Sequence, residues 1–431
     1  MSSLVIMIIF IISILLAIPV SISLGLASVL PGVFDPSFTA SGQFVIRSMV
    51  GGIDSFPLLA VPMFVLSGII MARGGISKKI FDIFSLLFGR FTAGIPCSVI
   101  GTCLFFGAIS GSGPATVAAV GSMTIPILSS LGYDKKFSTA IVAVSGGVGV
   151  IIPPSIPFIM YAMASGESVS SLFIAGILPG LLISFLLMIY CIFYCIKNGE
   201  DRTLINKRID DLNKKGVLIV IKESLFALMA PVIILGFIYA GITSPTEAAV
   251  ISVFYSVIIS IFVYKTLKIS EMKDIIIESV RTFSPILFIL ASSIAFSRVL
   301  TLMQIPQQLS EMILTNFSSR FAILVIINLL LLLVGMVMDT TPAILILAPI
   351  LLPIIQAIDI DPVHFGVIMV VNLAIGFVTP PIGVNLFIAS TISEIPVTEI
   401  AVKVVPMIGF FLIALLLISI FPQISLILLG N

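Results

Sequence analysis

Charge is scarce in this sequence. Only 10% of its 431 residues are Asp, Glu, Lys or Arg, and the net charge is +1. No basic face appears, so the electrostatic footprint of a nucleic-acid binder is absent. Histidine occurs once, at His364, which excludes metal or triad chemistry that needs two imidazoles. Cysteine occurs four times, at Cys97, Cys103, Cys191 and Cys195, always in apolar segments. The spacing fits no zinc pattern, and small buried hydrophobes are the reading. No glycine-rich stretch ends in Gly-Lys-Ser/Thr, so a P-loop for ATP is missing. No converging nucleophile and base supports an intramembrane enzyme.

What remains is apolar. The chain is 59% hydrophobic, with a mean hydropathy of +1.30. So much apolar surface over this length needs lipid as its solvent. The expected class is an all-α polytopic membrane protein. Residues 4–30 are too long for a signal peptide and lack its basic leader and cleavage site, so they read as a retained first helix. A loop with Pro31, Gly32, Asp35 and Pro36 follows, then a span at 53–72. Residues 76–91 alternate charged and apolar faces at helical spacing, which suggests an interfacial helix; the polar end of an ordinary span is the alternative. Two short apolar arms at 94–131 enclose Ser-Gly-Ser-Gly-Pro. A span at 137–164 breaks at Pro153-Pro154, and 170–196 is unbroken.

Residues 197–216 are the one long charged stretch, with six basic and four acidic side chains, and read as a solvated cytoplasmic loop. Spans at 217–241, 246–264 and 275–303 follow, then a polar stretch at 304–319. A second hairpin at 321–358 turns at Asp339-Thr340-Thr341-Pro342. A second broken span, 363–393, is interrupted at Pro380-Pro381, and the last helix is 398–429. Placing 197–216 in the cytoplasm brings Lys135, Lys136, Arg73, Lys78, Lys79, Lys265, Lys268 and Lys273 to the same side. That distribution puts the N-terminus inside and the C-terminus outside.

The halves repeat. At an offset of 227 positions (126 to 353), Pro126 falls on Pro353, Asp134 on Asp361 and Gly149 on Gly376. Pro153-Pro154 falls on Pro380-Pro381, Glu167 on Glu394 and Pro179 on Pro406. The span count makes the repeats inverted, as in many secondary transporters. The expectation is two re-entrant helical hairpins and two broken transmembrane helices around one site. The units are 1–52 and 197–274 as scaffold, and 53–196 and 275–431 as repeats. A broken backbone survives at membrane depth only where it is buried or lines a cavity. Helix N-termini there suit an anion, and unwound carbonyls suit Na+. Ser110, Ser112, Ser155, Thr340, Thr341, Thr379 and Asn385 add neutral oxygens or amides. Close packing of helices through small residues is the alternative use of such Ser and Gly.

Three further residues stand outside these sets. His364, beside Pro362, reads as a satisfied residue at a helix start. Glu247 after Ser244-Pro245-Thr246 reads as an N-terminal helix cap, with proton relay as the alternative. Arg298 is an intramembrane charge that is either functional or snorkelling.

Several stretches carry a family resemblance: GAISGSGPAT (107–116), GVIIPPS (149–155), GITSPTEAAV (241–250), MDTTPAILILAPIL (338–351) and GFVTPPIGVNLF (376–387). Over almost its whole length the chain resembles the large membrane subunit of tripartite ATP-independent periplasmic (TRAP) transporters. The resemblance implies a Na+-coupled importer of an organic acid, such as a C4-dicarboxylate or sialic acid, in the cytoplasmic membrane of a bacterium or archaeon. It implies an elevator mechanism, a separate small membrane subunit and a soluble substrate-binding protein as partners. Carried over residue by residue, one Na+ site would use Ser110, Ser112, Gly149 and Ile152. A second would use Asp339, Thr340, Thr341, Gly376 and Thr379. The substrate carboxylate would lie near Thr116, Ser155 and Asn385. The alternative within transport is a self-sufficient Na+-coupled anion symporter.

Overall fold

The computed structural model describes residues 18–34, 41–214, 216–317 and 319–430, with scattered positions between 6 and 16. Asp35, Pro36 and part of the expected first helix lie outside the described residues. Every regular element among those described is helical. The chain opens with α1 (Val20–Phe34), α2 (Gly42–Ile53), α3 (Ala60–Arg73) and α4 (Ile76–Phe88). The first hairpin is α5 (Gly94–Ser110) and α6 (Gly113–Ser130). The first broken helix is α7 (Lys135–Val148) and α8 (Ile156–Ser165), followed by α9 (Val169–Asn198). Then come α10 (Arg202–Lys214), α11 (Val217–Tyr239), α12 (Pro245–Ile258), α13 (Met272–Leu302) and α14 (Ile305–Asn316). The second hairpin is α15 (Arg320–Val337) and α16 (Thr340–Ala357). The second broken helix is α17 (Pro362–Gly376) and α18 (Val384–Ser393), and α19 (Val397–Ile420) and α20 (Gln423–Leu426) end the chain. Eight of the described helical segments are long and apolar enough to cross a membrane.

The element bounds repeat at the offset found in the sequence: α6 maps onto α16, α7 onto α17 and α8 onto α18, within a residue or so. The two copies are inverted. At the start of α7, Asp134 meets Lys403 at 3.1 Å and Lys136 meets Glu399 at 2.7 Å, both in the first turns of α19. At the equivalent start of α17, His364 lies 3.2 Å from Ser425, beyond the far end of α19. A helix of that length spans roughly 36 Å. Equivalent points of the two repeats therefore sit at opposite ends of one helix.

Four expectations need correction. Pro31 and Gly32 are not loop residues: α1 runs through them to Phe34. Pro inside an apolar helix is tolerated where neighbours re-satisfy the freed carbonyl. The region before the second span also contains α2, capped by Ser41, whose hydroxyl accepts from Phe44 N at 3.3 Å. Residues 197–216 are not a solvated loop. They contain α10, which buries Ile205, Ile209 and Leu212 and packs against α4. The last helix stops at Ile420, before Pro422, and α20 follows it.

Two helical groups emerge from the packing. Helices α1, α2 and α3 pack on α13, and α3 also packs along α12. The first hairpin packs on α7, and α18 crosses onto both α6 and α7. In the second hairpin, α15 lies along α17, while α16 leans on α8, α13 and α14.

Candidate functional site

The centre is built where the two breaks meet. Helix α5 ends at Ser110 because Gly111 turns the chain with φ 61°, in the left-handed region glycine favours. Ser112 restarts it as the N-cap of α6, accepting from Ala115 N at 3.4 Å. The tip is tied to the first broken helix, since Ile156 N donates to Gly111 O at 3.3 Å. Ser110 and Thr116 hydroxyls lie 3.1 Å apart, and Thr116 donates to Ser112 O at 2.8 Å. A Cβ on Gly149 would stand 2.7 Å from Thr116 Oγ1. Ser110, Ser112, Thr116 and the Gly149 backbone thus form one cluster. Thr116, expected near the substrate, sits among the residues expected for the first cation site.

The remaining first-break residues are held by their own turn. Ser155 Oγ donates to Val150 O and accepts from Phe158 N, capping α8. Ile152 N donates to Val148 O at 3.1 Å, and its side chain lies against Gly180 of α9. The whole stretch from Gly146 to Ser155 is buried.

The second break differs. Asp339 is the N-cap of α16, its carboxylate accepting from Thr340 N at 2.6 Å and from Thr340 Oγ1 at 3.3 Å. Thr340 and Thr341 are buried. Thr379 Oγ1 donates to Ile375 O at 2.7 Å. Gly376 lies directly on Gly335, where a Cβ would fall 2.3 Å from the Gly335 carbonyl. Pro380, Pro381 and Ile382 are exposed, unlike their counterparts in the first break. Both Pro-Pro bonds are cis.

Asn385 joins the two halves. It is fully buried on α18. Its Nδ2 donates to Ala143 O of α7 at 3.1 Å and lies beside Gly113 at the first hairpin tip. Its Oδ1 is buried without a partner among the described residues. That oxygen is free to accept from a further donor.

Sequence reasoning missed two contacts. Gly107 abuts Gly149, where a Cβ would fall 2.3 Å from the Gly149 Cα, and Gly335 abuts Gly376 in the same way. A glycine in the first hairpin arm facing a glycine before the break was the available signal. Asn372, bonded to Asn328 at 2.6 Å, was also missed. Glu247, Arg298 and His364 lie outside this centre. Glu247 completes a capping box with Ser244, and Arg298 is exposed. His364 is buried against Ser425.

The sequence model of the family described as "Tripartite ATP-independent periplasmic transporter, DctM component" matches residues 7–424. The isethionate TRAP transporter permease DctMQ of Oleidesulfovibrio alaskensis is 41% identical over 419 residues, 96% of this chain and 64% of that protein. The C4-dicarboxylate large permease DctM of Pseudomonas aeruginosa is 37% identical over 86% of each chain. The sialic acid large permease SiaM of Vibrio cholerae is 35% identical over 90% of this chain and 89% of that protein. Among solved structures, the YdaH transporter of Alcanivorax borkumensis superimposes with a TM-score of 0.64 at 12% identity, covering 90% of each chain. MtrF of Neisseria gonorrhoeae gives 0.62 at 15% identity, over 88% of this chain and 84% of that one. These two likenesses concern the fold alone.

Proposed function

The chain belongs to the DctM-component family of tripartite ATP-independent periplasmic transporters, and from that premise we propose that it imports an organic acid coupled to Na+. It is a large permease subunit for organic acids. The cargo arrives on a soluble binding protein, and a small membrane subunit completes the complex in a bacterial or archaeal cytoplasmic membrane. C4-dicarboxylates, sialic acid and isethionate are the acids to test, because similar permeases carry those names.

The observation that carries this reading is the reach of Asn385 from one repeat to the hairpin tip of the other. It makes one centre out of two breaks. Na+ is held by hydroxyls and carbonyls around Ser110, Ser112, Thr116 and Gly149, and around Thr341, Gly376 and Thr379. An N-cap carboxylate at Asp339 adds charge to the second set. The hairpins and broken helices then move as a body against the α3, α12 and α13 group, as an elevator.

Reconstitution tests the proposal. Liposomes holding the chain, its small subunit and a loaded binding protein are given an inward Na+ gradient. Uptake is expected for at least one of the three acids, and none when any component or the gradient is omitted. Robust uptake by the chain alone would favour a self-sufficient Na+-coupled anion symporter instead.

A further inference from the structure

A cavity of about 280 Å³ lies between the first hairpin and the α3 and α13 helices. One wall is the hairpin tip, with Ser110, Ser112 and Ala118. The other carries Arg73, at the last turn of α3, and Glu278, near the start of α13. The Arg73 guanidinium is paired with the Glu278 carboxylate across the two helices. Both side chains are nearly half exposed, at 45% and 44%. An ion pair so wet does little to hold two helices together. Its position is the informative feature: it places a permanently charged, fork-shaped donor on the wall of the same cavity that the hairpin-tip hydroxyls line.

We propose that Arg73 is a binding residue for the acidic group of the cargo, and that Glu278 occupies its guanidinium when cargo is absent. The inference rests on the organic-acid reading given above. Carboxylate and sulfonate both present two or three oxygens that match the guanidinium fork. Exchanging one anion for another conserves the charge pair and keeps the guanidinium fork occupied. Glu278 is exposed enough to return to water when displaced. Its neighbour Thr282 keeps its own bond to the Glu278 backbone carbonyl at 2.8 Å, so α13 need not rearrange. Cargo that leaves the centre through this cavity therefore meets a cation on the scaffold side before reaching bulk solvent.

The test reads occupancy of the cavity rather than transport. Ala118→Cys places a thiol on the cavity wall of the full chain in membrane vesicles. Its alkylation by N-ethylmaleimide is followed by mass spectrometry of the peptide around residue 118. Succinate, isethionate and N-acetylneuraminate are the probes, titrated separately. At least one should slow alkylation. Its half-protecting concentration should fall severalfold with Glu278→Gln, and rise about tenfold or more with Arg73→Gln, the scale of one charge-assisted pair. Arg73→Lys should lie between wild type and Arg73→Gln. Absence of protection by all three probes overturns the proposal. So do shifts in the same direction for Glu278→Gln and Arg73→Gln, which a purely positional role of the pair would give. Protection with the expected shifts, but no Na+-driven uptake by the reconstituted complex, would count against the proposed function and not against this site.

Discussion

At the scale of single residues, the centre depends on what side chains leave out as much as on what they supply. Gly107 and Gly149 touch backbone to backbone, and so do Gly335 and Gly376. A methyl at Gly376 would overlap the Gly335 carbonyl, which cannot move as a flexible side chain would. Gly376→Ala and Gly107→Ala should each destabilise the protein by about 1–3 kcal/mol or more through overpacking. Gly409→Ala, with nothing within 4 Å, is the control and should be silent. Thermal unfolding of the detergent-solubilised protein measures all three. The polar residues make a separate prediction. Asp339 caps α16, a role Asn preserves, while Thr341 and Thr379 offer hydroxyls. Under the cation reading, Thr341→Ala and Thr379→Ala raise the half-saturating Na+ concentration for uptake or abolish it. If both leave it unchanged in folded protein, the second site lies elsewhere. If Asp339→Asn alone is silent, the carboxylate is only a cap.

At the scale of elements, the breaks were legible and the clamps were not. Pro pairs, glycines and N-cap residues mark where a helix must stop or start, because their effects are local. The sequence therefore located both hairpin tips and both broken helices closely. It missed α10 as a packed element, since the apolar face of α10 is only Ile205, Ile209 and Leu212 among many charges. It also gave no hint of Glu200, two of whose three partners, Ala93 and Tyr133, are far away in the chain. The Glu200 carboxylate accepts from Ala93 N at 3.1 Å and from the Tyr133 hydroxyl at 2.5 Å, and pairs with Arg202 at 2.8 Å. Burial, then the Glu200 bond, push the Tyr133 phenol up, so it stays a donor. Arg202 in turn donates to Arg90 O and Phe91 O at 3.2 and 3.1 Å. Both ends of the first hairpin are thus held by one charged segment. Glu200→Ala should cost about 1–3 kcal/mol, because two buried donors lose their acceptor. Glu200→Gln should cost less, and Asn206→Ala, at an exposed position, almost nothing. A uniform response of the three in thermal unfolding would show that the segment is not a clamp.

At the scale of the whole molecule, the charges decide which way the chain faces. Each ion pair among the described residues joins segments that the basic-residue count puts on one side. Arg73 meets Glu278, Lys79 meets Glu223, Arg208 meets Asp82, and the base of α7 meets the first turns of α19. At the other end, the carboxylates of Asp361 and Glu247 cap their own helices, and contacts between elements are made without ion pairs: Tyr161 donates to Pro362 O at 2.6 Å, Thr246 to Phe56 O at 3.2 Å, and His364 meets Ser425. One pole is laced by ion pairs, and the other shows none among the described residues. The positive-inside rule assigns the basic pole to the cytoplasm. Asn206 lies at that pole, and Asn316, at the end of α14, is exposed in the polar stretch that the count puts outside. An impermeant thiol reagent should therefore label Asn316→Cys in intact cells, and Asn206→Cys only after permeabilisation. The reverse pattern would turn the molecule over. The first hairpin and its Arg73 cavity would then open outward, and Arg73 would receive cargo from the binding protein instead of passing it to the cytoplasm. Equal labelling of both sites in intact cells would mean that the two lie on one side, and the inverted repeat could not then bracket a membrane.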